Sequence, residues 1–275
     1  MALNKEGVPI LKASFVRGKE LILDALDTVL RKRDWGTPPR RLMFIGGGDF
    51  AKTGEAYLHF FVDVCGIKPE DTVLDVGCGV GRMAIPLTRY LSKDGAYEGF
   101  DVVKPGIDWC TKNITSRFPQ FRFEWMNIYN RTYNPHSDQT AANFRFPYHD
   151  EQFDFVFLTS VFTHMLPSDL EHYIGEIVRV LKAGKPCLIT YFLLNEESRR
   201  LISNGASRLD FKYDAGGCLC IDQVVPEAAL AYEEAYILST YSKAGLVVDQ
   251  PIRYGSWCGR KGSMRFQDVI VARKK

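Results

Sequence analysis

Cysteine pairs spaced for a metal or a disulfide framework are missing from this chain. Its seven cysteines are scattered at Cys65, Cys78, Cys110, Cys187, Cys218, Cys220 and Cys258. The odd number and the lack of any C-x-x-C pair exclude a disulfide scaffold and a zinc knuckle. Cys218-Leu219-Cys220 is one residue too tight for a knuckle. No apolar run approaches the ~20 residues that cross a bilayer. Met1 to Ile10 carry charges and a proline where a secretory signal needs an apolar core. A reducing cytoplasm is therefore the expected location. Charge of one sign is missing too. Lys and Arg number 35 against 33 Asp and Glu, a formal net charge of +2. That balance provides no broad field for a nucleic-acid backbone, and no nucleic-acid partner is expected. The local run Arg31-Lys32-Arg33, with Arg40 and Arg41 beyond, reads as a solvated helix end. No internal repeat or low-complexity tract is present.

What the chain does have is length and alternation. Its 275 residues suffice for one large domain, or one domain with a cap. Residues 19–33 carry apolar positions Leu21, Ile22, Ala25, Leu26, Val29 and Leu30 at helical spacing. A breaker-rich linker, Asp34 to Pro39, and a glycine loop, Gly46-Gly47-Gly48-Asp49-Phe50, follow. The next helix aligns Leu58, Phe61, Val62 and Cys65 and stops at Gly66. From Thr72 strands and helices alternate. Strands are expected at Thr72 to Val76, Tyr97 to Asp101, Phe121 to Met126, Phe153 to Leu158, Pro186 to Leu193, Leu246 to Ile252 and Phe266 to Ala272. Ser168-Asp169-Leu170-Glu171 reads as a capping box opening the helix that runs to Leu181. The pattern predicts an α/β fold with a mostly parallel sheet covered on both faces. Two parts are expected: an N-terminal helical cap over 1–66, and a main domain over 67–275. The main domain carries a polar insertion at 195–227.

The most informative segment is residues 73–84, Val-Leu-Asp-Val-Gly-Cys-Gly-Val-Gly-Arg-Met-Ala. A short apolar strand carrying Asp75 runs into Gly77, Gly79 and Gly81, and a helical pattern follows. Glycine lets the backbone turn sharply and approach a ligand closely. A dinucleotide fold wants a small residue where this chain has Arg82, which argues against a nicotinamide oxidoreductase. The D-x-G-x-G-x-G run, with Cys78 inside it, resembles the first motif of the class I S-adenosylmethionine-dependent methyltransferase superfamily. That resemblance covers about residues 46–194 and implies a Rossmann-like, seven-stranded sheet whose last strand is antiparallel. It also implies S-adenosylmethionine as cofactor and S-adenosylhomocysteine as product.

Ligands of open α/β sheets bind beyond the carboxyl ends of the strands. Asp101 ends the second strand, where an acid accepts the ribose hydroxyls, and Val102 beside it would cover the adenine. After the third strand, Asn127 and Ile128 match the superfamily's adenine-contacting positions. Asp75 and the glycine-turn amides would hold the methionine end. The fourth strand ends in Thr159-Ser160-Val161-Phe162-Thr163-His164-Met165, at the position facing both cofactor and acceptor. This run resembles segments of bacterial small-molecule and glycan-associated methyltransferases, and it lacks the D/N-P-P-Y/F of planar-amine enzymes. His164 is the candidate general base, since an imidazole titrates near neutrality. Phe50 is the candidate cofactor cover, and Tyr254 and Trp257 are candidate acceptor walls. No metal is expected. The expected reaction is methyl transfer to oxygen of a small molecule or a sugar-containing precursor. An N-, protein or RNA methyltransferase, or a non-catalytic cofactor-binding module, are the competing readings.

Overall fold

The computed structural model describes residues 23–24, 26–27, 30, 34–43, 48–131, 134–263 and 265–275. Most of the expected helix over 19–33 and part of the glycine loop before Gly48 lie outside them. Helix α1, Phe50–Phe60, begins where Asp49 Oδ1 accepts from Lys52 N at 3.0 Å. A π-helical turn, Phe61–Cys65, continues it, and Gly66 at φ 72° ends it. A Cβ on Gly54 would stand 2.5 Å from the Arg82 carbonyl oxygen. Only glycine there lets α1 lie directly on the chain that follows the first strand.

The main sheet has seven strands. Four are β1 (Thr72–Val76), β2 (Ala96–Asp101), β3 (Phe121–Trp125) and β4 (Phe155–Leu158). β5 (Pro186–Tyr191) pairs with β4. The remaining two main-sheet strands, β10 (Leu246–Val248) and β11 (Asp268–Lys274), close the chain. The spatial order is β10-β11-β5-β4-β1-β2-β3. The pairs from β5 to β3 are parallel, and β11 runs antiparallel to both of its neighbours. This is the topology expected from the resemblance.

Alternation along the strands builds two cores. Leu74 and Val76 of β1, with Val156 and Leu158 of β4, face one side. They meet helix α4 (Pro167–Val180) and helix α6 (Glu234–Ala244) through Leu170, Ile174, Ile177, Ile237 and Tyr241. Val73, Phe155, Phe157 and Leu188 face the other side, against α1, helix α2 (Ala84–Tyr90) and helix α3 (Lys104–Cys110). Strands buried on both faces read as near-continuous apolar runs, as β4 and β5 do.

Three local expectations change. The capping box does not form: α4 starts at Pro167, and no side chain caps it. Proline has no N–H and a helix-compatible φ, so it takes the first helical position and draws Ser168 inside the turn. The strand expected from Pro186 to Leu193 splits. β5 ends at Tyr191, and Leu193–Leu194 form β6 in a second sheet. The tract at 195–227 is not irregular. It holds helix α5 (Glu196–Ser203) and strands β7 (Tyr213–Asp214) and β8 (Leu219–Cys220). With β9 (Leu230–Glu233) these make a small sheet ordered β6-β9-β8-β7. Its own apolar cluster joins Phe192, Leu194, Phe211 and Ala231 to Trp257 and Cys258.

Candidate cofactor and acceptor site

The glycine turn after β1 is pinned across the sheet. Gly77 N and Cys78 N both donate to the Phe100 carbonyl, at 2.9 and 3.0 Å. Gly77, Gly79 and Gly81 have φ of 81°, 56° and 73°. A Cβ on Gly77 would meet Val161 Cγ2 at 2.4 Å, so the turn lies against the tip of β4. Gly81 serves packing instead, since a Cβ there would meet Ile114 Cδ1 at 2.8 Å. Asp101 Oδ2 accepts from Gly79 N and Oδ1 from Val103 N, each at 2.8 Å. Gly81 N donates to the Cys78 carbonyl. Four of the turn's amides are thus engaged within the protein, and what the turn chiefly offers a ligand is close backbone approach. Burial raises the Asp101 carboxyl above its ordinary pKa, against the pull of those backbone donors.

Asp75 lies two residues before the turn and is fully buried. Its Oδ2 accepts from the Tyr97 hydroxyl at 2.6 Å, while its Oδ1 has no hydrogen-bond partner. Burial lifts its pKa to about 8, with the Tyr97 hydroxyl opposing. The folded protein therefore holds this proton more tightly than the unfolded chain. The stability this brings is full below about pH 4 and is lost as pH rises through 8. Asp75→Asn, an isostere without the titration, should raise the ligand-free Tm at pH 8.5 by about 3 °C or more. The two proteins should melt together only at about pH 4 and below, and diverge steadily as pH rises. Scanning calorimetry giving parallel pH profiles for both would refute this origin of the slope.

Both groups open on a cavity of about 1610 Å³ at the carboxyl edge of the sheet. Single-ligand pockets usually measure about 300–1,000 Å³, so this one has room for two molecules. Of the residues expected at the site, Asp75, Gly77, Cys78, Gly79, Asp101, Val102, Ile128, Thr159, Ser160 and His164 line it. Phe50, Gly81 and Asn127 are not among the lining residues. Phe50 lies beneath the Arg82 guanidinium, 5.5 Å from ring to cation. Asn127 Oδ1 accepts from Asn134 Nδ2 at 3.0 Å, turned toward the loop that follows β3.

The tip of β4 is a shaped corner. Ser160 adopts φ 60°; its N donates to Thr190 Oγ1 at 2.8 Å and its hydroxyl to Gln267 Oε1 at 2.9 Å. His164 sits on the next turn, Phe162–His164. Its Nδ1 lies 2.8 Å from the Glu227 carbonyl, an acceptor, so Nδ1 carries the proton and Nε2 the lone pair. Burial lowers the His164 pKa, against the two backbone contacts at Glu227 and Ala228 that raise it. The ring is neutral at neutral pH. Among the described residues no group of three or more His, Cys, Asp or Glu is placed to hold a metal ion.

The pattern of residues gives no notice of several lining groups. Tyr57 and Phe60 of α1, Arg253 after β10, and Arg265 and Gln267 before β11 all line the cavity. They come from segments far apart in sequence, and only the position of β11 inside the sheet assembles them. Tyr254 and Trp257, expected as acceptor walls, do not line it. Trp257 is fully buried and donates through Nε1 to Asp268 Oδ2 at 2.7 Å; the Tyr254 hydroxyl donates to Glu234 at 2.9 Å.

Residues 74–189 match a protein family described as a methyltransferase domain. Among curated proteins, the sterol 24-C-methyltransferase of Schizosaccharomyces pombe is 32% identical over 58% of this chain and 38% of its own length. The 2-phytyl-1,4-naphtoquinone methyltransferase of a Nostoc species is 27% identical over 46% of this chain and 49% of its own. The matches thus span about half or less of these relatives. Among solved structures, magnesium protoporphyrin IX methyltransferase from Synechocystis PCC 6803, with bound S-adenosylhomocysteine, superposes with a TM-score of 0.53. It is 14% identical, over 86% of this chain and 92% of that one, a likeness of fold.

Proposed function

We propose that this chain, built around a class I S-adenosylmethionine-dependent methyltransferase domain, methylates an oxygen atom of a small molecule, sugar-bearing precursors included. The observation that carries this reading is the pairing of features in one cavity. Asp101 and the unpartnered oxygen of Asp75 lie at one end, and a neutral imidazole with its lone pair on Nε2 lies beyond the β4 tip. When bound, S-adenosylmethionine supplies a sulfonium-activated methyl group.

The residues fit that cofactor. A buried carboxyl oxygen lacking a partner suits an ammonium group, whose charge would draw off the proton that Asp75 holds without ligand. Asp101 keeps lone pairs beyond the two backbone N–H groups it accepts, enough for the ribose hydroxyls. Val102 and Ile128 supply apolar contact for the base. His164 Nε2 takes the proton from the acceptor hydroxyl as its oxygen becomes the nucleophile. Val161, Met165 and Phe192 wall the same cavity and exclude water from the acceptor's apolar parts. The two curated relatives described above are named for a sterol and a phytyl-naphtoquinone, which agrees with such walls. No helix among the described residues is long and apolar enough to cross a membrane.

S-adenosylhomocysteine should raise the Tm, and NAD should not. Asp101→Ala should weaken S-adenosylhomocysteine by at least about 1 kcal/mol, roughly fivefold or more in Kd. An unchanged calorimetric Kd would remove Asp101 from the ribose contact. Stabilisation by NAD alone would replace the whole reading with a dinucleotide one.

A further inference from the structure

We propose that the acceptor bears an anionic group, a carboxylate or a phosphate, gripped by Arg253 and Arg265 beside the ring of Phe60. The proposal rests on the methyl-transfer reading and adds the acceptor's chemical class to it. Both arginines line the cavity. The Arg265 guanidinium lies 4.0 Å from the Phe60 centroid and 5.7 Å from that of Tyr57. The Arg253 guanidinium lies 5.4 Å from the same Phe60 ring. Two cations therefore gather at one aromatic ring.

Neither has a counter-charge among the described residues: no carboxylate lies within 4.0 Å of either guanidinium, although Asp63 lines the same cavity. Elsewhere the chain pairs its partly buried arginines. Arg179 binds Glu176 and Asp150, Arg260 binds Glu197 and Asp268, and Arg273 binds Asp249. Among the described residues, the Arg253 guanidinium donates only to the Pro251 carbonyl. Arg265 Nε is buried with no hydrogen-bond partner. An unfilled buried donor beside a second cation is a costly arrangement unless a ligand completes it. Burial first, then the charge of Arg253, pull the Arg265 pKa down, as expected of a cation lacking a counter-ion.

The position suits an acceptor. Gln267, two residues beyond Arg265, is hydrogen-bonded to Ser160 at the β4 tip, which sets the cationic pair at the edge of that corner. The buried carboxylates Asp75 and Asp101 stand by the glycine turn. The cavity thus has an acidic end and a cationic end, with apolar walls between. A guanidinium fork matches the oxygens of a carboxylate or phosphate, and an aromatic face beneath it holds the fork in plane. The acceptor is accordingly an amphipathic acid with an apolar body.

The test uses matched acid and neutral probes on protein saturated with S-adenosylhomocysteine. The pairs are octanoate with octanamide, and phenyl phosphate with phenol, followed by calorimetry. At least one acid should bind tenfold or more tighter than its neutral partner, and the winning pair tells carboxylate from phosphate. Arg253→Gln and Arg265→Gln should each erase the preference while leaving the S-adenosylhomocysteine Kd unchanged. Arg265→Lys, which keeps the charge and the ring contact, should retain part of it even should the glutamine variant fold poorly. Acids that bind no tighter than neutrals, or variants that keep the preference, overturn the proposal. So does a tenfold loss of S-adenosylhomocysteine affinity in the variants, which would assign the pair to the cofactor. Wild-type protein that fails to bind S-adenosylhomocysteine removes the methyl-transfer reading and this proposal together; bound cofactor product with indifferent probes removes this proposal alone.

Discussion

His164→Ala should lower kcat by about 100- to 10,000-fold, the usual contribution of a positioned general base, with the S-adenosylhomocysteine Kd unchanged. The imidazole's geometry supports the size of this effect. The Glu227 carbonyl fixes the tautomer, so Nε2 is basic without any rearrangement. The loop turn Phe162–His164 follows directly on the β4 tip and fixes where the ring stands. The pH dependence has a sign. Burial makes the protonated ring unfavourable, so the base is deprotonated from below the ordinary imidazole range upward. The rate should be level through neutral pH and fall only on the acid side, with a midpoint under about 6.5. Single-turnover rates across pH, for wild type and the alanine variant, would check both statements. A variant that keeps full speed would remove the base, and the oxygen acceptor would lose its main support.

Asp268→Ala should strongly destabilise the part of the molecule built on the small sheet. Asp268 is completely buried at the first position of β11. Its carboxylate accepts from Leu193 N, Gly255 N and Trp257 Nε1, each at 2.7 Å, with Arg260 NH1 at 3.3 Å. Burial raises its pKa to about 6 despite these donors, so at pH 7.5 it is the charged form that joins β6, the loop before β11 and the small apolar cluster. Removing it leaves three buried N–H groups without an acceptor and takes from Arg260 one of its two carboxylate partners. The loss should be about 3–5 kcal/mol, on the scale of a broken buried charge network. That corresponds to a Tm lower by about 10 °C or more. Asp268→Asn, which still accepts through one oxygen, should lose clearly less. Equal melting of the alanine variant and wild type would show that the network is dispensable.

The contrast between Asp101 and Asp268 shows which parts of this protein are legible in its sequence. Asp101 sits in a local pattern: strand, glycine turn, helix and next strand follow one another in sequence, and the chemistry of each end can be worked out from spacing. The same holds for the burial of β4 and for the stop at Gly66. Asp268 gave no such signal. Its four partners come from residues 193 to 260, and which strand lies beside β11 is a matter of topology, not of periodicity. Tyr97 illustrates the same limit on a smaller scale. It reads as an ordinary strand aromatic, and only the parallel register, with Asp75 opposite Gly99, brings its hydroxyl to Asp75. Short strands were the other blind spot. β7 and β8 are two residues each, below the length at which alternation can be seen, so their segment reads as an irregular insertion. The capping box failed for a local reason, because Pro167 outcompeted Ser168 for the helix start.

The inward course of β11 also bears on how such a protein changes over generations. Every other strand beside it leaves the sheet at the reaction edge, whereas β11 arrives there, carrying Arg265 and Gln267 immediately upstream. Insertions or recoding ahead of residue 268 would alter what is grasped while β1 and β2, which carry Asp75 and Asp101, stay untouched. Descendants could diverge in diet while inheriting one hand for the donor.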